Sequence, residues 1–411
     1  MDETLERILV IAVKMENDQE EQFQSSLDEL ISLSNTAGGE VEKVVTQNRK
    51  KIHPATYMGE GKIQEIKQIV TELEIDLVIS NDELSPGQLR NLSNLLEVRI
   101  IDRSQLILDI FAKRAKTKEG KLQVELAQLE YTLPRLQGIG VEMSRLGAGI
   151  GTRGPGETKL ETDRRHIRNR IDDIKKKLKL VVKQREQYRK RRKANDTFQI
   201  ALTGYTNAGK STIFNRLTDS DSLEEDKLFA TLDPLTRKIQ LPSGFEALIT
   251  DTVGFIQDLP TSLIAAFRST LEEVREADFL LHVVDASERN QLEQQETVLK
   301  LLEELNAHRI PMLTVYNKSD LVEDDFIPHA YPYIFISAYK KSDLNKLLEK
   351  IELVLKDEWK SYKVLLEANQ GNILSRFEHG TIVTDKHYNE ELNKYEIQGY
   401  MMENHPLNGY L

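Results

Sequence analysis

Between an apolar run, Thr197-Phe-Gln-Ile-Ala-Leu-Thr203, and an amphipathic stretch carrying Ile213, Phe214 and Leu217 lies Gly204-Tyr-Thr-Asn-Ala-Gly-Lys-Ser211. Strand, glycine-rich turn, Lys-Ser and helix is the order in which a P-loop is built, and that context removes most chance matches. Gly204 and Gly209 let the backbone N–H groups of Tyr205, Thr206, Asn207 and Ala208 curl around α- and β-phosphates. The helix begun by Lys210, Ser211 and Thr212 adds the partial positive charge of its N-terminus. Lys210 is expected to reach the β- and γ-phosphates, and the Ser211 hydroxyl to ligate Mg²⁺. Downstream, Ala247-Leu-Ile-Thr-Asp251-Thr-Val-Gly254 reads as a strand ending at the carboxyl edge of a sheet, where α/β folds bind ligands. Asp251 should hold Mg²⁺, and the Gly254 N–H should meet the γ-phosphate. Thr231, in Leu228-Phe-Ala-Thr-Leu-Asp-Pro234, is the candidate that completes the metal shell. Thr236 is the alternative, closer to the strand expected from Arg237 to Leu241.

Base identity follows from Asn317-Lys-Ser-Asp320 at the end of an expected strand, Met312 to Tyr316. The Asp320 carboxylate can accept hydrogen bonds from guanine N1 and N2, a pair adenine does not offer, so discrimination against ATP should be large. Lys318 should lie along the base, and Ser337 and Ala338 should form the loop whose backbone N–H meets guanine O6. Together the motifs predict a GTP/GDP site and hydrolysis of GTP to GDP and phosphate, with Lys210, Thr231 and Gly254 at the reacting phosphate. One position departs from Ras-like enzymes: where they place a glutamine to orient the attacking water, this chain has Phe255. An aromatic ring cannot align that water, so hydrolysis should be slow alone and stimulated by a partner. Asn207 is a candidate ligand for K⁺, an arrangement seen in related GTPases with a hydrophobic residue at the glutamine position.

At 411 residues the chain should divide into two to four domains. It has no apolar run approaching the roughly 18 residues of a membrane span, and Met1-Asp-Glu-Thr-Leu-Glu-Arg7 does not resemble a signal peptide. With no cysteines it has no disulfides or thiolate metal sites. The reading is a cytoplasmic monomer with no membrane role. Net charge is −11, but fifteen Lys/Arg against three acidic residues lie between Arg164 and Lys193. That segment carries +12 and leaves −23 for the rest, which points to a localised polyanion-binding element on an acidic body.

The fold expected is multidomain α/β. Residues 1–109 alternate apolar runs such as Ile8 to Val13 and Asp76 to Ser80 with helical patterns, one begun by Ser85-Pro86, as in a parallel α/β domain. A long helix is expected from about Ser104. Across 110–195, Leu122, Leu126, Leu129, Leu133 and Leu136 form one heptad-type stripe, and Ile167, Ile171, Ile174 and Leu178 another, which predicts an antiparallel helical hairpin. Pro134 should kink the first arm or end it early. The connection, 138–156, holds seven of the chain's twenty-one glycines. Its Gly149-Ile-Gly151-Thr-Arg-Gly154 matches a dinucleotide fingerprint formally, but no strand precedes it and Pro155-Gly156 stand where the helix should run. With Arg145 and Arg153 it is better suited to presenting amides and guanidinium groups to RNA phosphates. A P-loop domain is expected over 196–357, and a small α+β domain over 358–411 with strands at Tyr362 to Leu366 and Tyr395 to Met401.

These residues closely resemble the HflX family of ribosome-associated GTPases over nearly the whole chain. Besides the nucleotide motifs, the most specific piece is Gly147-Ala-Gly-Ile-Gly-Thr-Arg-Gly-Pro-Gly-Glu157 with Glu161-Thr-Asp-Arg-Arg165 and Arg168; Tyr57-Met-Gly-Glu-Gly-Lys62 and Asn81-Asp-Glu-Leu-Ser-Pro86 are similar too. The resemblance implies binding to the large ribosomal subunit, with the hairpin, its loop, Arg145, Arg153, Arg164, Arg165 and Arg168 directed at ribosomal RNA. It further implies splitting of stalled or hibernating ribosomes under stress, with GTP favouring the bound state. A GTPase of rRNA or subunit maturation and a GTP-gated RNA-binding scaffold are the alternatives. Gly59-Glu-Gly61-Lys62 lacks P-loop spacing and reads as a helix start, although the family has been credited with ATP use in that domain.

Overall fold

The computed structural model describes residues 5–136, 155–194, 197–218, 228–257, 268–322 and 326–411. Most of the glycine-rich loop, Arg145 and Arg153 among it, lies outside them. The described residues divide into two compact units: 5–136, 155–182, 228–229 and 257 form one, and the remainder the other.

The first unit runs β1 (Glu6–Met15), α1 (Glu20–Ala37), β2 (Gly39–Arg49), α2 (Glu60–Glu72), β3 (Leu77–Ser80), α3 (Pro86–Leu96), β4 (Arg99–Asp102), α4 (Arg103–Arg114), α5 (Lys118–Arg135) and most of α6 (Pro155–Ala194). Its four strands are all parallel in the order β2-β1-β3-β4. Central β1 is buried on both faces from Ile8 to Val13, which is why it reads as an uninterrupted apolar run instead of an alternating one. Ser85 starts α3 by a capping box, its hydroxyl accepting from the Gln88 N–H and the Gln88 amide oxygen accepting from the Ser85 N–H, with Pro86 at the first helical position.

The single long helix expected from Ser104 is two helices. Asp102 caps α4 through the Gln105 N–H and Thr117 caps α5 through the Gly120 N–H, so the chain restarts a helix after a break at 115–117. The break separates two burial duties. Leu106, Ile107, Leu108, Ile110 and Phe111 of α4 are fully buried within the first unit, whereas α5 gives its stripe to the hairpin. There Leu122 and Leu126 pack with Ile171 and Ile174, flanked by Leu129, Leu133, Ile167 and Leu178. Glu125–Arg170 and Glu130–Lys175 ion pairs align the arms. Pro134 sits in the last turn of α5, which ends one residue later.

The second unit continues with β5 (Phe198–Gly204), α7 (Lys210–Thr218), β6 (Leu235–Gln240), β7 (Glu246–Asp251), α8 (Arg268–Arg275), β8 (Phe279–Asp285), α9 (Gln291–Glu304), β9 (Met312–Asn317), β10 (Tyr333–Phe335) and α10 (Lys341–Glu358). The strand order is β10-β9-β8-β5-β7-β6, with only β6 antiparallel to its neighbour. The chain closes with β11 (Lys360–Glu367), α11 (Gly371–Gly380), β12 (Ile382–Asn389) and β13 (Lys394–Met401), a three-stranded antiparallel sheet in the order β11-β13-β12. This is the α+β arrangement expected. Its Ile382, Tyr400 and Met402 join the apolar core of the larger sheet, and Trp359 meets Phe198 and Phe245 edge-on at 5.4 and 5.3 Å. The appendage thus packs on the larger sheet while keeping a core of its own around Tyr362, Phe377 and Ile397. Among the described residues no helix is long and apolar enough to cross a membrane.

Ile174 is completely buried in the hairpin seam. Ile174→Ala should cost about 2–5 kcal/mol in denaturant unfolding and accelerate amide exchange along α5. Unchanged exchange in α5 would mean that the arms fold without each other.

Candidate nucleotide site

Five segments deliver the site: the β5–α7 turn, the stretch before β6, the end of β7, the end of β9 and the loop after β10. β5 ends at Gly204, whose φ of 147° and whose closeness to the Val283 carbonyl leave no room for a side chain. Gly209, at φ 93°, is equally crowded by the Asn317 amide. Lys210 is buried, and its ammonium group donates to the carbonyls of Gly204 (3.1 Å) and Tyr205 (2.6 Å). Burial pushes its pKa down to about 8.

At the carboxyl end of β7 the Asp251 carboxylate is wholly buried. Its Oδ2 accepts from Ser211 Oγ at 2.7 Å and from Thr231 Oγ1 at 2.7 Å, and the two hydroxyls lie 2.9 Å apart. Burial raises the Asp251 pKa, an effect opposed first by the Thr231 and Ser211 hydroxyls. Its Oδ1 has no hydrogen-bond partner among the described residues. Two hydroxyls and a carboxylate with a free oxygen form a hard-oxygen donor set, which fits Mg²⁺. Thr236 instead lies in β6, opposite Thr250, and its hydroxyl pairs with that of Thr250 at 2.9 Å. Of the two candidate threonines, only Thr231 joins Ser211 and Asp251.

Gly254 is packed so closely that a Cβ there would lie 2.7 Å from Thr206 Cα and 2.9 Å from Lys210 Nζ. The next residue, Phe255, exchanges backbone hydrogen bonds with the P-loop: its N–H donates to Gly204 O (3.1 Å) and its carbonyl accepts from the Thr206 N–H (2.8 Å). Its ring is buried with Tyr205, Val274, Ala277 and Leu280. The side chain at the usual glutamine position is therefore a core residue turned into the domain.

Asn317 is buried and ties two loops together. Its Nδ2 donates to Ala208 O (2.9 Å) and its Oδ1 accepts from the Ala338 N–H (3.0 Å). Lys318, at φ 62°, pairs with Asp285 at 2.6 Å. The exposed Asp320 carboxyl is held below the usual range, chiefly by a hydrogen bond from Ser337. Ser337 is placed in turn by Asp343, which accepts its N–H. Thr212 is half-buried on α7, while Asn207, at φ 62°, is exposed. On α6, Arg165 and Arg168 are exposed and Arg164 half-buried.

Sequence reasoning passed over Asp285, Asp343 and His282. Asp285 and Asp343 act through partners in other segments, so only the assembled fold marks them. His282 sits within the apolar run of β8, flanked in register by Thr203 and Thr314, and burial pushes its pKa down to about 4. A polar rung thus crosses the sheet just below the P-loop, and no local motif announces it.

Comparison with known proteins bears on this geometry. Three family models match: "GTP-binding GTPase N-terminal" over residues 24–112, "GTP-binding GTPase Middle Region" over 114–192, and "50S ribosome-binding GTPase" over 199–318. A GTPase HflX of Alkalihalophilus pseudofirmus is 53% identical, covering 97% of this chain and 95% of its own. The GTPase HflX of Escherichia coli is 46% identical, over 85% of this chain and 84% of its own. Among solved structures, a GTP-binding protein of Sulfolobus solfataricus in complex with GDP aligns over 85% of this chain and 98% of its own, at 24% identity and a TM-score of 0.46.

The depressed Lys210 pKa has a consequence for binding. Without a ligand, burial disfavours the ammonium form, so the side chain loses its proton as pH rises through about 8. Phosphates beside it would restore the charged form. Nucleotide binding near that pH should therefore take up protons, and affinity should fall as pH rises. Calorimetry in buffers of different ionisation enthalpy reads the uptake, and Lys210→Met should abolish it; a buffer-independent enthalpy would mean that Lys210 does not meet phosphate.

Proposed function

The chain belongs to the HflX family of GTPases, and on that premise we propose that it is a ribosome-bound switch that splits stalled or hibernating ribosomes under stress. Its P-loop domain binds guanine nucleotide, with the Mg²⁺ dependence usual for such domains, and hydrolyses GTP. The carrying observation is the convergence of Ser211, Thr231 and Asp251 around one buried carboxylate oxygen. In this reading the three hold Mg²⁺, which when bound neutralises phosphate charge. Lys210 gives up its carbonyl partners for the β- and γ-phosphates, and the Gly254 N–H meets the γ-phosphate. Asp320 selects guanine, while Asn317 holds Ala208 and Ala338 in register around the nucleotide.

Catalysis is the weak part of this apparatus when the protein is alone. Because the Phe255 ring is buried, no side chain at that position can orient the attacking water. The ribosome is proposed to supply the missing order or group. Support for that partner comes from the exposed basic face of α6, including Arg165, Arg168 and Lys175 to Lys177, and from the ribosome-binding description of the family model matched by the P-loop domain. Cytoplasmic location and action as a monomer belong to the same reading. Asn207 is offered as a K⁺ ligand; equal turnover in Na⁺ and K⁺ would remove it.

Two measurements test the proposal. Single-turnover hydrolysis should accelerate by about 10³-fold or more with ribosomes, the scale on which a supplied catalytic group acts; equal rates with and without them would end the idea. In sedimentation of intact ribosomes, splitting is expected with GTP. Splitting also with a non-hydrolysable analogue assigns the work to binding; no splitting, with binding to an immature subunit, would favour a maturation factor, and binding to mature ribosomes without splitting a scaffold. Arg145→Glu or Arg153→Glu should weaken ribosome binding and leave nucleotide affinity unchanged.

A further inference from the structure

The strand end that supplies Asn317 has a buried acid beside it. Asp285 closes β8 in register with Asn317 on β9, and the next residue, Ala286, donates its N–H to the Asn317 carbonyl at 3.0 Å. The Asp285 side chain is almost wholly buried, and each of its oxygens has one duty. Oδ1 accepts from the N–H and the hydroxyl of Ser287, at 3.0 and 2.6 Å, a local turn that fixes how the carboxylate points. Oδ2 meets the Lys318 ammonium group at 2.6 Å. The lysine backbone is held as well. Lys318 sits at φ 62°, its carbonyl accepts from the Leu321 N–H at 3.0 Å, and the Ser319 N–H donates to Ile336 O at 3.1 Å. With Cα and Nζ both fixed, the four-carbon stem between them cannot sweep through its rotamers. A lysine without such a seat would surrender that freedom when a ligand settled on it. Two residues on, the exposed Asp320 carboxylate accepts a hydrogen bond from Ser337. All of these residues belong to the second compact unit.

We propose that Asp285 is a positioning residue for guanine nucleotide: it holds the Lys318 stem as an apolar ledge for the face of the purine ring, beside the Asp320 carboxylate that reads the ring's edge. The inference rests on the reading of Asn317 to Asp320 as the guanine site, and it adds which group prepares that site. The ledge meets a ring face that GDP and GTP share, so its loss weakens both alike. It reads no exocyclic group, so the choice between guanine and hypoxanthine stays with Asp320. Binding that is uniform between substrate and transition state changes KM and leaves kcat where it was.

A double-mutant cycle in the full-length protein tests this, with Asp285→Asn, Lys318→Met and the two together. Asparagine keeps an oxygen for Ser287 and removes the charge that seats Lys318; methionine keeps an apolar stem and removes the ammonium group. Affinities for fluorescent GDP and a fluorescent non-hydrolysable GTP analogue are measured, with displacement by unlabelled GDP, inosine diphosphate and ADP. Single-turnover hydrolysis at saturating GTP and thermal unfolding accompany them. Asp285→Asn should weaken GDP and the analogue alike by about tenfold, with the preference for GDP over inosine diphosphate and the saturated rate kept within about twofold. In the Lys318→Met background the same substitution should cost less than about twofold, because the partner it acts through is gone. Should Asp285→Asn not fold, Ser287→Ala, which frees one side of the carboxylate, takes its place; a loss of about threefold that vanishes beside Lys318→Met is then expected. Unchanged GDP affinity overturns the proposal, as does an equal loss with and without the Lys318 ammonium group, which marks a merely structural carboxylate. If ADP displaces fluorescent GDP from wild-type protein as well as GDP does, the reading of the base site itself fails; a GDP-selective wild type without coupling overturns the role of Asp285 alone.

Discussion

A carboxylate buried at the end of a central strand is the constraint around which this molecule is arranged. Asp251 is fully shielded from water, and burial favours its neutral form. The charge is tolerable there only because hydroxyls converge on it and because the oxygen left over can face a cation. Ser211 comes from the first turn of α7, so the P-loop must end where β7 ends. Thr231 comes from the irregular stretch before β6, so that stretch must lie over the same strand end. The parallel strands β5, β7, β8 and β9 exist, in functional terms, to bring these carboxyl ends to one edge.

The same economy of placement explains Phe255. A residue following Gly254 must pair its backbone with the P-loop, and it does so through both its N–H and its carbonyl. That pairing turns the ring toward Tyr205 and the α8–β8 side of the core, where it contributes burial and cannot contribute to catalysis. The position gives the P-loop an anchored backbone partner and offers no side chain to a water.

Much of this was legible in the order of residues. The strand–turn–helix context of Gly204 to Ser211, the end-of-strand positions of Asp251 and Asn317, and the paired stripes of the hairpin all depend on neighbours within a few residues, where spacing alone dictates geometry. The long helix expected from Ser104 failed because its two halves are apolar for different reasons. α4 faces the core of the first unit and α5 faces α6, and only caps at Asp102 and Thr117 divide them. β12 and α11 escaped notice because β12 alternates weakly, with five consecutive exposed residues from Thr384 to Tyr388, and α11 spans ten residues with one fully buried side chain.

By itself, then, the sequence determined the class of fold and the nucleotide, since each motif is a local pattern whose chemistry does not need the rest of the chain. Sequence position already favoured Thr231 over Thr236; only the tertiary structure brought Thr231 to Ser211 and Asp251, paired Thr236 with Thr250, turned Phe255 inward and paired Lys318 with Asp285. Those outcomes join residues between 14 and 50 positions apart. The free energy of such contacts depends on which surfaces the folded chain brings together and shields from water, and no local pattern in the sequence records that.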